Sequence, residues 1–164
     1  MTNNRNRAED GWVKSSVASW WIGKCPHFKR DGNTITGEED TRPGEFIYMP
    51  ATSFAALLIE SKRRKHDHLV TEDLAIICER DGQEPEQTGW IRSEAASMIR
   101  AEDIGLERRG DHVAMITTRN AEAILIPAGC FAALLIGVRK NDLDKLVEVE
   151  LAEIATRHSL EQAA

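Results

Sequence analysis

Imidazole, thiol and carboxylate groups come close together in only a few stretches of this chain. His66-Asp67-His68 alternates imidazole and carboxylate, a pattern able to ligate a transition metal, and Cys25-Pro26-His27 sets a thiol beside an imidazole. Adjacent side chains on a helix diverge around its axis, and a structural zinc site needs a full set of convergent ligands. The first stretch therefore reads as a solvated helix end or turn, and the second as half a site at most. Ser53 stands where a strand passes into a helix, as the serine of a nucleophile elbow does, but no G-x-S-x-G surrounds it. A capping or packing role suits it better. Neither G-x-x-x-x-G-K-[ST] nor G-x-G-x-x-G occurs, so no loop of that kind is present to cradle phosphate. The expectation is no catalytic residue, no metal and no cofactor.

Charged and aromatic groups suggest binding instead. Lys62-Arg63-Arg64-Lys65 follows an apolar run, and Arg139-Lys140 follows a second, similar run. Two related basic clusters could meet duplex DNA as the half-site contacts of a dimer do. The blander reading is that cations favour helix C-termini through the dipole. Residues 89–99 resemble the first helix of helix-turn-helix regulators, but residues 98–107 lack a convincing recognition helix. Trp20-Trp21 is the other candidate. Packing between elements is the plain reading of such a pair, and a partner-binding hot spot is the functional one. Arg42, in a turn of the first half that is longer than its counterpart, joins them as a candidate contact.

The elements that must position these groups occur twice. Residues 46–59 (F-I-Y-M-P-A-T-S-F-A-A-L-L-I) and 123–136 (A-I-L-I-P-A-G-C-F-A-A-L-L-I) are identical at nine of fourteen positions, at an offset of 77. Upstream, Gly11-Trp12-Val13-Lys14-Ser15 faces Gly89-Trp90-Ile91-Arg92-Ser93 at an offset of 78. Trp12, Ser15 and Ser19, like Trp90, Ser93 and Ser97, have helical spacing and predict a helix opening each half. A turn follows at Arg30-Asp31-Gly32-Asn33 and again at Arg108-Arg109-Gly110-Asp111. Strands are expected over 34–36 and 112–118, returning over 45–49 and 122–126. Pro50 and Pro127 end the returning strands, and Thr52 or Ser53 would cap the next helix. Phe-Ala-Ala-Leu-Leu-Ile is apolar all round, which predicts an enclosed helix. Val70, Leu74, Ile77 and Val147, Leu151, Ile154 then mark a final amphipathic helix in each half.

The fold class expected is α+β: a tandem duplication of a helix, β-meander, helix, helix unit, pseudo-twofold, with one shared core. The organisation is a flexible tail over 1–10, repeat 1 over 11–81, a linker over 82–88, repeat 2 over 89–158 and a tail over 159–164. The two meanders could join into one sheet.

Bulk properties narrow the function. A charged content of 29% beside 41% hydrophobic residues is ordinary for a globular chain and argues against overall disorder. Net charge is −6, with 10 basic and 11 acidic residues over 11–81 and 9 and 11 over 89–158. No global electrostatic footprint for nucleic acid results. Three cysteines without C-x-x-C spacing, and a polar N-terminus, suit a reducing cytoplasm. The sixteen uncharged residues of 123–138 are fewer than the roughly 20 a membrane span needs and contain Pro127 and Gly129. The leading reading is a non-catalytic macromolecule-binding protein: a small cytoplasmic regulator or inhibitor working through protein–protein contacts at Trp20, Trp21 and Arg42, of the kind mobile elements carry. The alternative is a DNA-binding regulator using Lys62, Arg63, Arg64, Lys65, Arg139 and Lys140.

Overall fold

The computed structural model describes residues 11–16, 26–39, 41–81 and 104–163. Strand β1 (Pro26–Asp31), β2 (Thr34–Glu39) and β3 (Ile47–Pro50) form an antiparallel sheet in chain order, followed by α1 (Ala51–Lys62) and α2 (Thr71–Asp81). The same order returns in β4 (Ile104–Arg109), β5 (His112–Thr117), β6 (Ile124–Pro127), α3 (Ala128–Arg139) and α4 (Glu148–Ala163). A short 3-10 turn precedes the last helix of each half, at Asp67–Leu69 and Asp144–Leu146. Mixed helices and antiparallel sheets make the fold α+β.

Both hairpins turn on a glycine. Gly32 and Gly110 lie at φ 62 and φ 60, each first in a two-residue loop, a conformation that avoids cost only without a Cβ. The sequence predicts a helix and then a turn here; the structure adds strands β1 and β4 directly before these turns. Val13 exchanges backbone hydrogen bonds with Phe28 at 2.7 and 2.8 Å. The helix expected to begin at Trp12 is therefore corrected for residues 12–15: backbone pairing along the β1 edge outweighs the helical spacing of Trp12 and Ser15. Trp90, Ser93, Ser97, the linker 82–88 and the tail 1–10 fall outside the described residues.

Helices α1 and α3 are capped by backbone rather than by side chains, correcting the expectation for Thr52 and Ser53. Pro50 and Pro127 occupy the N-cap positions in extended conformation. The first helical N–H of α1 bonds to Asn33 O, and that of α3 to Asp111 O, so each hairpin loop supplies the cap. Helix α1 buries every residue but Thr52, and α3 every residue but Gly129, as expected of enclosed helices.

Those two helices pack on each other, and each half's last helix crosses over: α2 lies on α3, and α4 on α1. Buried apolar side chains from both halves, among them Phe28, Phe54, Ile77, Met115, Phe131 and Leu151, belong to one continuous cluster. The two sheets stay separate, however, and the expected joining into one sheet is corrected. Asn120 intervenes. Its Oδ1 accepts from Tyr48 N and its Nδ2 donates to Phe46 O, both at 2.8 Å, so one side chain imitates a pairing strand along β3. Thr117 Oγ1 donates to Tyr48 O at 2.7 Å beside it.

Candidate functional site: an aromatic face on the first sheet

Alternation along the first sheet separates two faces. Phe28, Ile35, Ile47 and Met49 are fully buried in the core. His27 and Lys29 on β1 and Thr36 and Glu38 on β2 occupy the opposite face, paired His27 to Glu38 and Lys29 to Thr36, with Tyr48 of β3 next to Thr36. Phe46 lies two residues before Tyr48, on the same side.

Aromatic rings line this face. Trp12 meets Phe46 in a near-parallel stack at 6.4 Å, and Phe46 meets Tyr48 at 6.5 Å. Trp12 also sets its ring edge-on to His27, with centroids 4.7 Å apart, and Lys29 Nζ sits 5.4 Å from the indole centroid. Phe46 remains 37% exposed and Tyr48 40%, large areas for side chains of this kind.

The face is braced from beneath. His27 Nε2 and Glu38 Oε1 share a hydrogen bond of 2.8 Å, and Gly44 N donates to Glu38 Oε2 at 2.7 Å. Both side chains are nearly fully buried, so the carboxylate has two fixed donors in place of water. Such a pair is the orienting half of a general-base arrangement. Here Nε2 is already engaged by Glu38 and the imidazole is covered by Trp12, so the pair supports the indole. The arm carrying Trp12 is held separately: Val13 pairs with Phe28, Ser16 N donates to Asp142 Oδ2 at 2.8 Å, and Ser15 packs on Gly137. A Cβ at Gly137 would lie 2.4 Å from that of Ser15, so glycine permits the approach.

Arg42 belongs to the same surroundings. Its N–H closes a turn on Glu39 O, its carbonyl accepts from Glu45 N, and its guanidinium lies 3.8 Å from the Glu45 carboxylate. Gly44 in this turn holds Glu38, so Arg42, the His27–Glu38 pair and Phe46 are linked. Glu39 points the other way: Thr41 donates to its Oε2 through N and Oγ1, while Oε1 is buried without a partner among the described residues. Trp20 and Trp21 lie outside the described residues.

The second sheet has no aromatic counterpart. At the offset of 78, His27, Lys29 and Glu38 correspond to Gly105, Glu107 and Ile116; at 77, Phe46 and Tyr48 correspond to Ala123 and Leu125.

The basic clusters are placed differently. Lys62 Nζ bonds both oxygens of Asp144, at 2.8 and 2.7 Å, and Arg139 Nη2 contacts Asp67 Oδ1. Each cation thus pairs with the acid at the equivalent place in the other half. Burial pushes the Lys62 ammonium down, and its bond to Asp144 opposes this. Arg139 is likewise pushed down by burial, pulled back by Asp67 and pushed down again by nearby Arg64. Lys62 and Arg139 are therefore buried between the halves rather than displayed, while Arg64 and Lys65 are exposed and Arg63 and Lys140 half-buried. The reading of residues 66–68 as a solvated end is corrected in part. His66 Nε2 lies 3.0 Å from Glu60 Oε1 and Asp67 is engaged by Arg139, leaving His68 exposed. Among the described residues, no group of three or more His, Cys, Asp or Glu is placed to hold a metal ion, and no helix is long and apolar enough to cross a membrane.

Sequence reasoning missed the His27–Glu38 pair because β1 was not recognised. A signal existed: a hairpin closed on Gly32-Asn33, with Asp31 opposite Thr34, sets His27 opposite Glu38. Asn120 gave no comparable signal, since its partners belong to the other sheet. No family model, curated protein or solved structure matches this chain.

Proposed function

We propose that this protein is a non-catalytic, cytoplasmic regulator or inhibitor that docks on another protein through the face of its first sheet, and that it arose by tandem duplication of one unit. The observation carrying the reading is the Trp12–Phe46–Tyr48 row: half-exposed aromatics on a braced sheet, with Arg42 beside them. Aromatic and arginine side chains dominate the binding energy of protein interfaces, and rigid anchors lose little entropy on docking. The duplication is supported by the repeated element order and by reciprocal contacts. Lys62 to Asp144 mirrors Arg139 to Asp67, and Arg30 to Leu146 O mirrors Arg108 to Leu69 O. Such exchange is what a twofold relation between equivalent units produces. On this view one half keeps the scaffold while the other carries the contact surface.

The alternative, DNA binding through the paired basic clusters, draws on the closeness of Arg64 to Arg139. It is the weaker reading because Lys62 and Arg139 are already neutralised internally.

Affinity capture from the native host tests the choice, using the full chain and a Phe46→Ala/Tyr48→Ala variant, with and without nuclease. The reading expects a protein retained in both lysates by the parent and lost by the variant. Retention by the variant, or a signal that vanishes with nuclease, refutes it.

A further inference from the structure

Trp12 opens the aromatic row, yet part of what holds it belongs to the other half. The arm over 11–16 runs from the first sheet, where Val13 exchanges two hydrogen bonds with Phe28, to the C-terminal end of α3. There buried Ser15 packs on Gly137, and Ser16 N donates to Asp142 Oδ2. Gly137 and Asp142 are joined to each other, since Asp142 N bonds Gly137 O at 3.0 Å and closes the helix. The end of α1 repeats this backbone: Lys65 N bonds Glu60 O at 3.1 Å, and Arg64 and Asn141 take matching left-handed positions. The difference lies in the side chains. At the offset of 77, Gly137 and Asp142 correspond to Glu60 and Lys65. Those two pair with each other at 3.6 Å, and His66 adds a contact of 3.0 Å to the same carboxylate. One helix end is thus filled by its own ion pair, and the other receives the arm.

Resting on the docking role proposed above, we infer that the end of α3 is a seat for the arm, and that Gly137 and Asp142 are positioning residues that place Trp12 in the docking face. A side chain at 137 would collide with Ser15, its Cβ falling 2.4 Å from the serine Cβ and 2.7 Å from its Cα. A backbone atom cannot swing aside as the end of a long side chain does. Asp142 then fixes the direction of the arm by accepting from Ser16 N. Four residue steps separate Trp12 from Ser16, about 13 Å of extended chain, so a displaced seat is felt at the indole. With the seat gone, the bridge between Val13 and Phe28 is the backbone tie left to the arm among the described residues. The indole would then have to be ordered by the partner, and that ordering costs affinity. Docking on the first sheet therefore depends on the second half, which contributes no ring to it.

The test transplants the end of α1 onto α3 in the full chain, as Gly137→Glu/Asp142→Lys, and reads Trp12 by NMR of histidine-labelled protein. In the parent the indole lies edge-on to His27 at 4.7 Å, which predicts cross-relaxation between the two rings and a ring-current shift on a His27 proton. The variant is expected to lose both while the resonances of β5 and β6 stay in place. A retained contact and shift overturn the inference. Should the double variant not fold, Asp142→Ala and Asp142→Asn decide it. The contact should weaken in the first and persist in the second, whose amide oxygen still accepts from Ser16 N; equal loss in both, or none, overturns the inference. Affinity capture separates the seat from the docking role. A protein held by the parent and lost by Gly137→Glu/Asp142→Lys supports the seat. Capture by a variant whose Trp12–His27 contact is gone overturns it and leaves docking standing. A parent that captures no protein refutes docking, and with it the seat's role in docking, even where the ring contact still follows Gly137 and Asp142.

Discussion

Among the described residues, Arg64 and Asn141 are the non-glycine residues found in left-handed conformation, at φ 65 and φ 66. Each stands just past a helix. Lys65 N bonds Glu60 O and Arg64 N bonds Ser61 O, and the same pattern joins Asp142 to Gly137 and Asn141 to Val138. This is the Schellman arrangement, whose left-handed position favours glycine and tolerates asparagine. Arginine there costs free energy, so Arg64→Gly is expected to stabilise the protein by about 1 kcal/mol in urea denaturation. An unchanged or lowered midpoint would show that contacts of the arginine side chain outweigh the backbone cost. Arg30 and Glu150 act at the same scale. Two bonds from the guanidinium, of 2.6 and 2.9 Å, hold the Glu150 carboxyl below its ordinary value of 4.5. A depressed carboxyl contributes stability above its unfolded pKa and loses it as pH falls through the folded value. Glu150→Gln should therefore be less stable than the parent near neutral pH, with the gap closing as pH falls through the depressed carboxyl's range. A gap that persists in acid would mean the residue acts through packing.

At the scale of elements, the central question is why β3 and β5 remain in different sheets. An open edge on β3 would expose unpaired backbone groups to any passing strand. Asn120 and Thr117 occupy that edge with side chains, which satisfies the backbone without building a continuous sheet. Asn120→Ala should cost about 1–2 kcal/mol in chemical denaturation and raise the tendency to self-associate, measurable by light scattering. A variant as stable and monodisperse as the parent would remove this account. Much of the element layer was legible in the letters. Pro50 and Pro127, the Gly-centred turns and the all-apolar Phe-Ala-Ala-Leu-Leu-Ile runs stated their roles through local chemistry. The upstream strands did not. Pro26-His-Phe-Lys-Arg lacks a clean apolar alternation because its outer face is the polar side of the candidate site, and Arg30 is drawn inward by Glu150 from the other half.

For the whole molecule, the exchanged ion pairs and crossed helices tie the halves together. Lys62 and Arg139 keep 11% and 1% of their side-chain surface, while Asp144 and Asp67 keep 24% and 28%. Removing either acid strands a buried cation, but the half-open acids already share their load with water. Asp144→Ala and Asp67→Ala are each expected to cost about 2–3 kcal/mol, below the ~3–5 typical of a fully buried pair. The loss should appear as a shift of one cooperative unfolding transition seen alike by fluorescence and circular dichroism. Two separate transitions would mean that the halves unfold independently. The basic clusters were visible in sequence, yet their fate was not, because the acids that neutralise Lys62 and Arg139 lie 82 and 72 residues away.

The crossing of the last helices, α2 onto α3 and α4 onto α1, sorts the positions of the chain by whom they answer to. A change on the inward side of either last helix is felt by the opposite half as well as by its own, so neither can be altered there alone. The outer face of the first sheet rests on groups of its own half, such as the His27–Glu38 pair and the turn at Gly44. There the two halves differ: the first sheet carries Lys29, Phe46 and Tyr48 where the second has Glu107, Ala123 and Leu125.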